Sequence, residues 1–309
     1  MPEPRSELHG LLLVDKPEGV TSASVVAFVK RTLRQRKVGH LGTLDPFATG
    51  LLPICIGEGT KIAAFLADDE KRYVGEIALG TATDTLDRTG AVLEERPLPP
   101  LTTADLAAAV AGLRGEILQT PPMYSALKRD GVPLYRLARA GQTVERAPRP
   151  VRIAAFDVAW LAADRLAFAV TCSRGTYVRV LAQDLGRALG TAAHLAALRR
   201  TRCGPFDVRD AVRLDDLARV AAEGALALVT PSEALGTLRA VEVDSRTIVS
   251  IRRGQQRVLG TLGPPRGAGE VVRLASARGE LVAIATATSD GSRWQLARVM
   301  VERTRGEPE

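Results

Sequence analysis

The chain has 309 residues, enough for a large buried core and about two domains. Hydrophobic residues make up 46% and charged residues 25%, which excludes a disordered or low-complexity chain, and no apolar run is long enough to span a membrane. The net charge of +7 and a pI near 9.7 fit a polyanion-binding surface as well as a mildly basic housekeeping enzyme.

Residues 8–14 read as a short buried strand, stopped by Asp15-Lys16-Pro17-Glu18-Gly19. Thr21 or Ser22 can cap a helix with Val25, Val26, Val29 and Leu33 on one face. Its end carries Lys30, Arg31, Arg34, Arg36 and Lys37, five cations and no acid within eight residues. Cations suit a helix C-terminus, and they equally suit contact with phosphates. Gly39 to Gly50 is a loop, Leu51 to Ile56 an apolar strand, and Tyr73, Gly75, Ile77 and Leu79 alternate along another strand. Thr102-Thr103 opens a helix burying Leu106, Val110 and Leu113.

The stretch 119–150 breaks this pattern with five prolines, Gly131 and Gly141. Seven cations and two acids lie between Lys128 and Arg152, with Tyr124 and Tyr135 nearby. Rings can stack on bases and cations can meet phosphates, so the segment suits an RNA grip or, more simply, a charged loop. Strands return at 151–160 and 166–172, and Ser173-Arg174-Gly175-Thr176 turns the chain into a helix burying Val178, Leu181, Leu185 and Leu189. Two further helices are predicted near 191–199 and 214–223. Beyond Leu238 the chain has twelve arginines, no lysine and short apolar strands between turns, the pattern of a small all-β domain.

Cys55, Cys172 and Cys203 are odd in number and widely separated, which argues against a disulfide framework or a metal site and for a reducing compartment. The N-terminal Met-Pro-Glu-Pro-Arg-Ser-Glu has no apolar signal region, so a cytoplasmic location is expected.

Asp45 before Pro46 reads first as a turn residue whose side chain bonds nearby backbone. His40, Thr43 and Thr49 crowd further polar groups into the same glycine-punctuated loop, making it a candidate acidic site. Residue chemistry carries the reading no further.

The runs Gly10-Leu11-Leu12-Leu13-Val14-Asp15-Lys16-Pro17-Glu18-Gly19 and Gly39-His40-Leu41-Gly42-Thr43-Leu44-Asp45-Pro46-Phe47-Ala48-Thr49-Gly50 resemble the bacterial tRNA pseudouridine-55 synthase (TruB) family. The resemblance continues through Thr60-Lys61, Lys71-Arg72-Tyr73-Val74-Gly75, Thr83-Asp84-Thr85-Leu86-Asp87, Pro122-Met123-Tyr124-Ser125-Ala126-Leu127-Lys128, Cys172-Ser173-Arg174-Gly175-Thr176-Tyr177-Val178-Arg179 and Leu198-Arg199-Arg200. It implies conversion of uridine 55 in the tRNA T-loop to pseudouridine, without metal or organic cofactor. It implies Asp45 as catalytic carboxylate, Arg179 as its counter-ion and Tyr73 as the ring against the target base. His40, Lys16, Lys61, Tyr177 and Leu198 fall in motifs implying substrate binding, with Lys16 and Lys61 supporting loops or touching phosphates. Leu41 departs from the family's more usual Thr, which puts only local hydrogen bonding in doubt.

The implied fold is α+β: a mixed, mostly antiparallel sheet flanked by helices, over residues 1–238, with 119–150 as a thumb-like RNA-binding insertion. Residues 239–309 take the position of a PUA-like RNA-binding domain. The expected partner is the T-arm and elbow of tRNA, with no membrane and no guide RNA, and the expected state is a monomer. A tRNA-folding factor, clamping RNA independently of catalysis, is the alternative function.

Overall fold

The computed structural model describes residues 7–66 and 70–300; the N-terminal residues that bear on localisation, and Arg303 and Arg305 of the C-terminal arginine set, lie outside the described residues. The first region contains β1 (Gly10–Lys16), α1 (Ser22–Leu33), β2 (Val38–His40), β3 (Thr49–Ile56), α2 (Gly59–Leu66) and β4 (Lys71–Leu79). It continues with α3 (Thr103–Ala111), β5 (Gly115–Gln119), α4 (Leu134–Arg139), β6 (Arg149–Ala162), β7 (Arg165–Cys172), α5 (Val178–Ala188), β8 (Ala193–Cys203) and α6 (Leu217–Ala222).

One ten-stranded sheet organises these elements, in the order Val212–Arg213, β1, β3, β8, β4, β7, β6, β5, with β2 also on β3 and the short strand Phe206–Asp207 also on β8. Most pairs are antiparallel, whereas β3 and β8 run parallel, with Thr49 opposite Arg199 and Gly50 opposite Arg200. The sheet is therefore mixed and mostly antiparallel, as the family resemblance implied. Helices α1, α3 and α5 bury Val25, Val29, Leu106, Leu181 and Leu185 in the same core as Ile54, Ile77 and Phe156.

The segment read as a helix near 191–199 is instead the strand β8, flanked by β4 and β3. Its Ala and Leu residues favour a helix locally, but the segment is paired on both edges and its residues fill the core. Tertiary pairing overrides local propensity. The proposed thumb leaves the sheet and returns to it at one place: Gln119, at the end of β5, pairs with Arg149, at the start of β6. Between them lie α4 and a small hairpin of Lys128–Arg129 with Val132–Pro133.

The C-terminal region forms a four-stranded sheet of β9 (Arg239–Glu242), β10 (Val271–Ala275), β11 (Leu281–Ala287) and β12 (Trp294–Val299). It is not purely β. Asp244 accepts a hydrogen bond from the Thr247 backbone at 2.7 Å and starts α7 (Ser245–Arg252), which buries Ile251. Ile284 and Met300 of this region share a core with Leu11, Leu13, Leu51 and Ile62, so the two regions are packed together. Leu41 joins that core, which accounts for an apolar residue in a polar motif.

Candidate active site

The loop between β2 and β3 is fixed on both sides of Asp45. On one side, the Ser22 hydroxyl donates to the Leu44 carbonyl at 3.1 Å and accepts from the Leu44 backbone at 2.9 Å. On the other, the Lys16 ammonium donates to the carbonyls of Pro17, Val20 and Pro46 at 2.8, 2.8 and 3.2 Å. The Gly19 backbone also donates to the Pro46 carbonyl at 2.8 Å. Lys16 is wholly covered, so it supports the loop and has no surface with which to touch a phosphate. Burial lowers its pKa from 10.5 to about 8, with Asp45 opposing the shift.

Asp45 does not bond the neighbouring backbone as a turn aspartate would. Both carboxylate oxygens meet Arg179, with Nε to Oδ2 at 2.9 Å and Nη2 to Oδ1 at 3.1 Å. Arg179 is buried at the start of α5, behind the turn at Gly175 (φ +80°). Gln119 secures that helix start by accepting from the Tyr177 backbone N–H at 3.0 Å. The guanidinium also donates to the carbonyls of Thr85 and Tyr124, both at 2.8 Å, and lies 3.8 Å from the Asp87 carboxylate. One arginine thus ties together the Asp45 loop, the 83–91 turn and the root of the 119–150 segment.

Asp87 organises its own turn, accepting from the Thr85 hydroxyl at 2.8 Å and the Thr89 hydroxyl at 2.6 Å. Tyr124 bridges to the same turn, its hydroxyl donating to Asp84 at 3.1 Å. Burial raises the Asp45 pKa; Arg179 opposes this and Asp87 reinforces it. A third of the Asp45 side-chain surface (33%) nevertheless opens onto the cleft, where a reacting group can reach it.

That cleft is a cavity of about 330 Å³, lined by Asp45, Tyr73, Tyr177, Arg179, Leu198 and Arg200 among others. Five of the eight residues singled out from sequence therefore meet in one place. Tyr73 is buried, and its phenol is pushed up to about 12 by burial, with Arg200 opposing. It stays neutral near pH 7. Arg200 is fully buried, donating from Nε to the Leu51 carbonyl at 2.7 Å and from Nη2 to the Gly42 carbonyl at 3.2 Å. Sequence reading did not single out Arg200 or Asp87; the signal available was only that each is a charged residue inside a motif that carries the family resemblance.

The other three candidates lie outside the cavity lining. Besides Lys16, His40 sits in β2 opposite Ile54, its Nδ1 buried without a hydrogen-bond partner. Burial and then Arg200 lower its pKa, so the ring is neutral at pH 7. Lys61 belongs to α2, where it pairs with Glu58 at 2.5 Å and donates to the Val299 carbonyl at 2.9 Å. It bridges the two regions rather than facing the cleft. Among the described residues no His, Cys, Asp or Glu cluster could hold a metal, and no helix is long and apolar enough to cross a membrane.

Comparison with known proteins adds to this geometry. Residues 30–178 match the TruB family pseudouridylate synthase N-terminal domain, and residues 179–235 match the tRNA pseudouridylate synthase B C-terminal domain. The chain is 46% identical over 308 residues to tRNA pseudouridine synthase B of Ralstonia pickettii, covering 97% of this chain and 95% of that one. It is 48% identical over 252 residues to the protein of that name from Geobacter sulfurreducens, covering 80% and 82%. Among solved structures, it is similar to a chain of a Cbf5–Nop10–Gar1 complex with a TM-score of 0.72 and 26% identity, covering 96% of this chain and 84% of that one.

Proposed function

The chain belongs to the TruB family of pseudouridylate synthases, and from that premise we propose that it isomerises uridine 55 in the T-loop of tRNA with Asp45 as the catalytic carboxylate. It is a tRNA pseudouridine synthase, an isomerase that replaces the C1′–N1 bond of a uridine by a C1′–C5 bond. A base stacked in an RNA elbow must leave the stack before any side chain reaches its sugar. The observation that carries the proposal is the two-pronged Asp45–Arg179 pair opening onto a cleft beside Tyr73.

In this reading Arg179 keeps Asp45 ionised and fixes its direction. The carboxylate then either attacks C1′ as the C1′–N1 bond breaks and the uracil leaves as its anion, or adds to the base, or removes the 2′ proton as the uracil leaves to give a glycal. The uracil turns within the pocket, C5 bonds C1′, and the C5 proton is lost as N1 gains one. Tyr73, neutral and buried, packs against the flipped base. Tyr177 and Leu198 line the pocket. His40 helps hold the displaced loop from just outside, and Lys16 acts indirectly by anchoring Pro46. Lys61 holds the two regions in register.

Residues 1–238 form the catalytic domain, 119–150 the thumb and 239–309 a PUA-like RNA-binding domain. The chain acts as a monomer on the T-arm, without guide RNA and without metal or organic cofactor. Purified protein is incubated with unmodified tRNA transcript, and pseudouridine is mapped by carbodiimide treatment and reverse transcription. A stop at position 55 supports the reading; a stop elsewhere, or activity only with an added guide RNA, contradicts it.

A second reading, a tRNA-folding activity separable from catalysis, is favoured by the basic 119–150 segment and the additional four-stranded C-terminal sheet, neither of which supplies the catalytic carboxylate. It requires Asp45→Asn to bind and refold misfolded tRNA; a variant that does neither rules it out.

A further inference from the structure

The cations at the end of α1 play no part in the site described above. Lys30, Arg31, Arg34, Arg36 and Lys37 are all exposed, and among the described residues none forms a salt bridge. Several other surface arginines, by contrast, are neutralised by a nearby carboxylate. Arg96 pairs with Glu94 at 2.6 Å, Arg114 with Asp157 at 3.0 Å, the half-buried Arg199 with Asp15 at 2.7 Å and Arg219 with Asp216 at 3.2 Å. The cluster does hold a cation–ring contact, with Arg31 over the Phe28 ring at 5.5 Å.

The helix dipole accounts for part of the cluster. It favours Lys30 and Arg31 in the last turn, but its influence fades beyond that turn, where Arg36 and Lys37 stand. Arg34 is a second anomaly. It ends the helix in the left-handed conformation, φ 52° and ψ 38°, which glycine adopts freely and other residues adopt at a cost. A guanidinium is kept where glycine would relax the backbone.

Position gives the cluster its target. The first residue of α1, Ser22, is bonded to Leu44 beside the catalytic aspartate. The helix then runs twelve residues, roughly 18 Å, to the cations. From there β2 leads the chain back to His40. Five unpaired positive charges therefore lie one short helix away from the carboxylate. A membrane surface is the poorer fit, because none of the large exposed apolar side chains lies on α1 or β2.

We propose that Lys30, Arg31, Arg34, Arg36 and Lys37 form a docking surface for the phosphodiester backbone of the RNA whose uridine enters the Asp45 cleft. This rests on the isomerase reading for its choice of RNA, and it gives the enzyme a grip separate from the 119–150 segment. Each phosphate neutralised releases counter-ions, so the surface should be visible in the salt dependence of binding.

The test measures binding of a tRNA transcript to the full chain across a salt series. One variant carries Lys30→Gln, Arg31→Gln, Arg34→Gln, Arg36→Gln and Lys37→Gln together; the other is Arg34→Gly. The fivefold variant should bind at least about tenfold more weakly near 0.1 M salt, with a log–log salt slope shallower by about 3 or more. Arg34→Gly should melt at a higher temperature than wild type and still bind two- to threefold more weakly (about one lost phosphate contact), so misfolding cannot explain its loss. Wild-type affinity and slope in both variants would overturn the proposal. So would cluster-dependent binding to anionic lipid vesicles with tRNA binding unchanged. A wild type that shows the cluster-dependent slope but modifies no uridine would instead remove the isomerase reading and leave the surface standing.

Discussion

Arg179 grips Asp45 at two points from 134 residues further along the chain, and it spends its other hydrogen bonds on the carbonyls of Thr85 and Tyr124. The carboxylate is therefore oriented by a residue that three separate segments hold in place. Its rotamer is set before substrate arrives.

Arg179→Met should destabilise the fold as well as remove activity. It leaves Asp45 and the nearly buried Asp87 without their shared cation, and breaking a buried pair by deleting one partner is costly. We expect a loss of roughly 3 kcal/mol, the low end for such a site, because a third of Asp45 faces the cleft. Thermal or denaturant unfolding of the variant measures it. An unchanged midpoint would mean that the pair contributes little to the fold.

The raised pKa of Asp45 has a definite consequence for acid conditions. The reactive form is the carboxylate, so activity should fall as pH drops through a value above the ordinary aspartate pKa. The same shift acts oppositely on the fold. A carboxyl group with a raised folded-state pKa adds stability at low pH and loses that contribution as pH rises through the folded value. Activity should therefore be lost in acid while the protein is still folded, and the limb should move to higher pH in Arg179→Lys, whose ammonium lacks the two-pronged contact. Single-turnover rates against pH, with circular dichroism alongside, check both parts.

Lys16 gives an alkaline counterpart. Its pKa of about 8 lies below its ordinary 10.5, so between those values the unfolded chain binds more protons than the folded one. This residue's contribution makes stability rise with pH across that window. Lys16→Met should flatten that part of the stability profile and also reduce turnover, since Pro46 loses an anchor beside Asp45. Denaturant midpoints at pH values on either side of the window make the comparison with wild type.

Two glycines should respond differently to the same change. At Gly50 (φ +101°) an added Cβ would lie 2.3 Å from the Arg200 carbonyl, where β3 meets β8. Gly50→Ala should cost at least about 2 kcal/mol and displace the strand carrying Arg200. At Gly175 (φ +80°) nothing lies within 4 Å of the added Cβ, so Gly175→Ala should cost about 1 kcal/mol from backbone strain alone. Equal midpoints for the two variants would show that close approach at the β3–β8 junction does not matter.

Local chemistry made much of this molecule legible. The helix from Thr21, the strand around Tyr73 and the helix after Gly175 follow directly from caps, alternation and turns. The strand β8 did not, because Ala-Leu-rich sequence carries helical propensity and its strand state comes from neighbours distant in sequence. The site divides in the same way. Asp45 stood out within its loop, but its partner lies 134 residues away, and such a pairing has no local sequence signal. For Lys16 the sequence left loop support and phosphate contact both open, and only its three carbonyl acceptors show it to be a buried brace. Arg200 was hidden among neighbouring arginines for the same reason.

The most direct test of the account is the modification map of unmodified tRNA treated with wild type and with Asp45→Asn, alongside a binding measurement for each. Asn keeps the shape of the side chain but removes the charge that attacks or accepts a proton, a change expected to cost at least about 10²–10⁴ in rate. The expected result is a reverse-transcription stop at position 55 with wild type, no stop with Asp45→Asn, and tRNA binding retained by both. A stop of normal intensity with Asp45→Asn would contradict the assignment of Asp45.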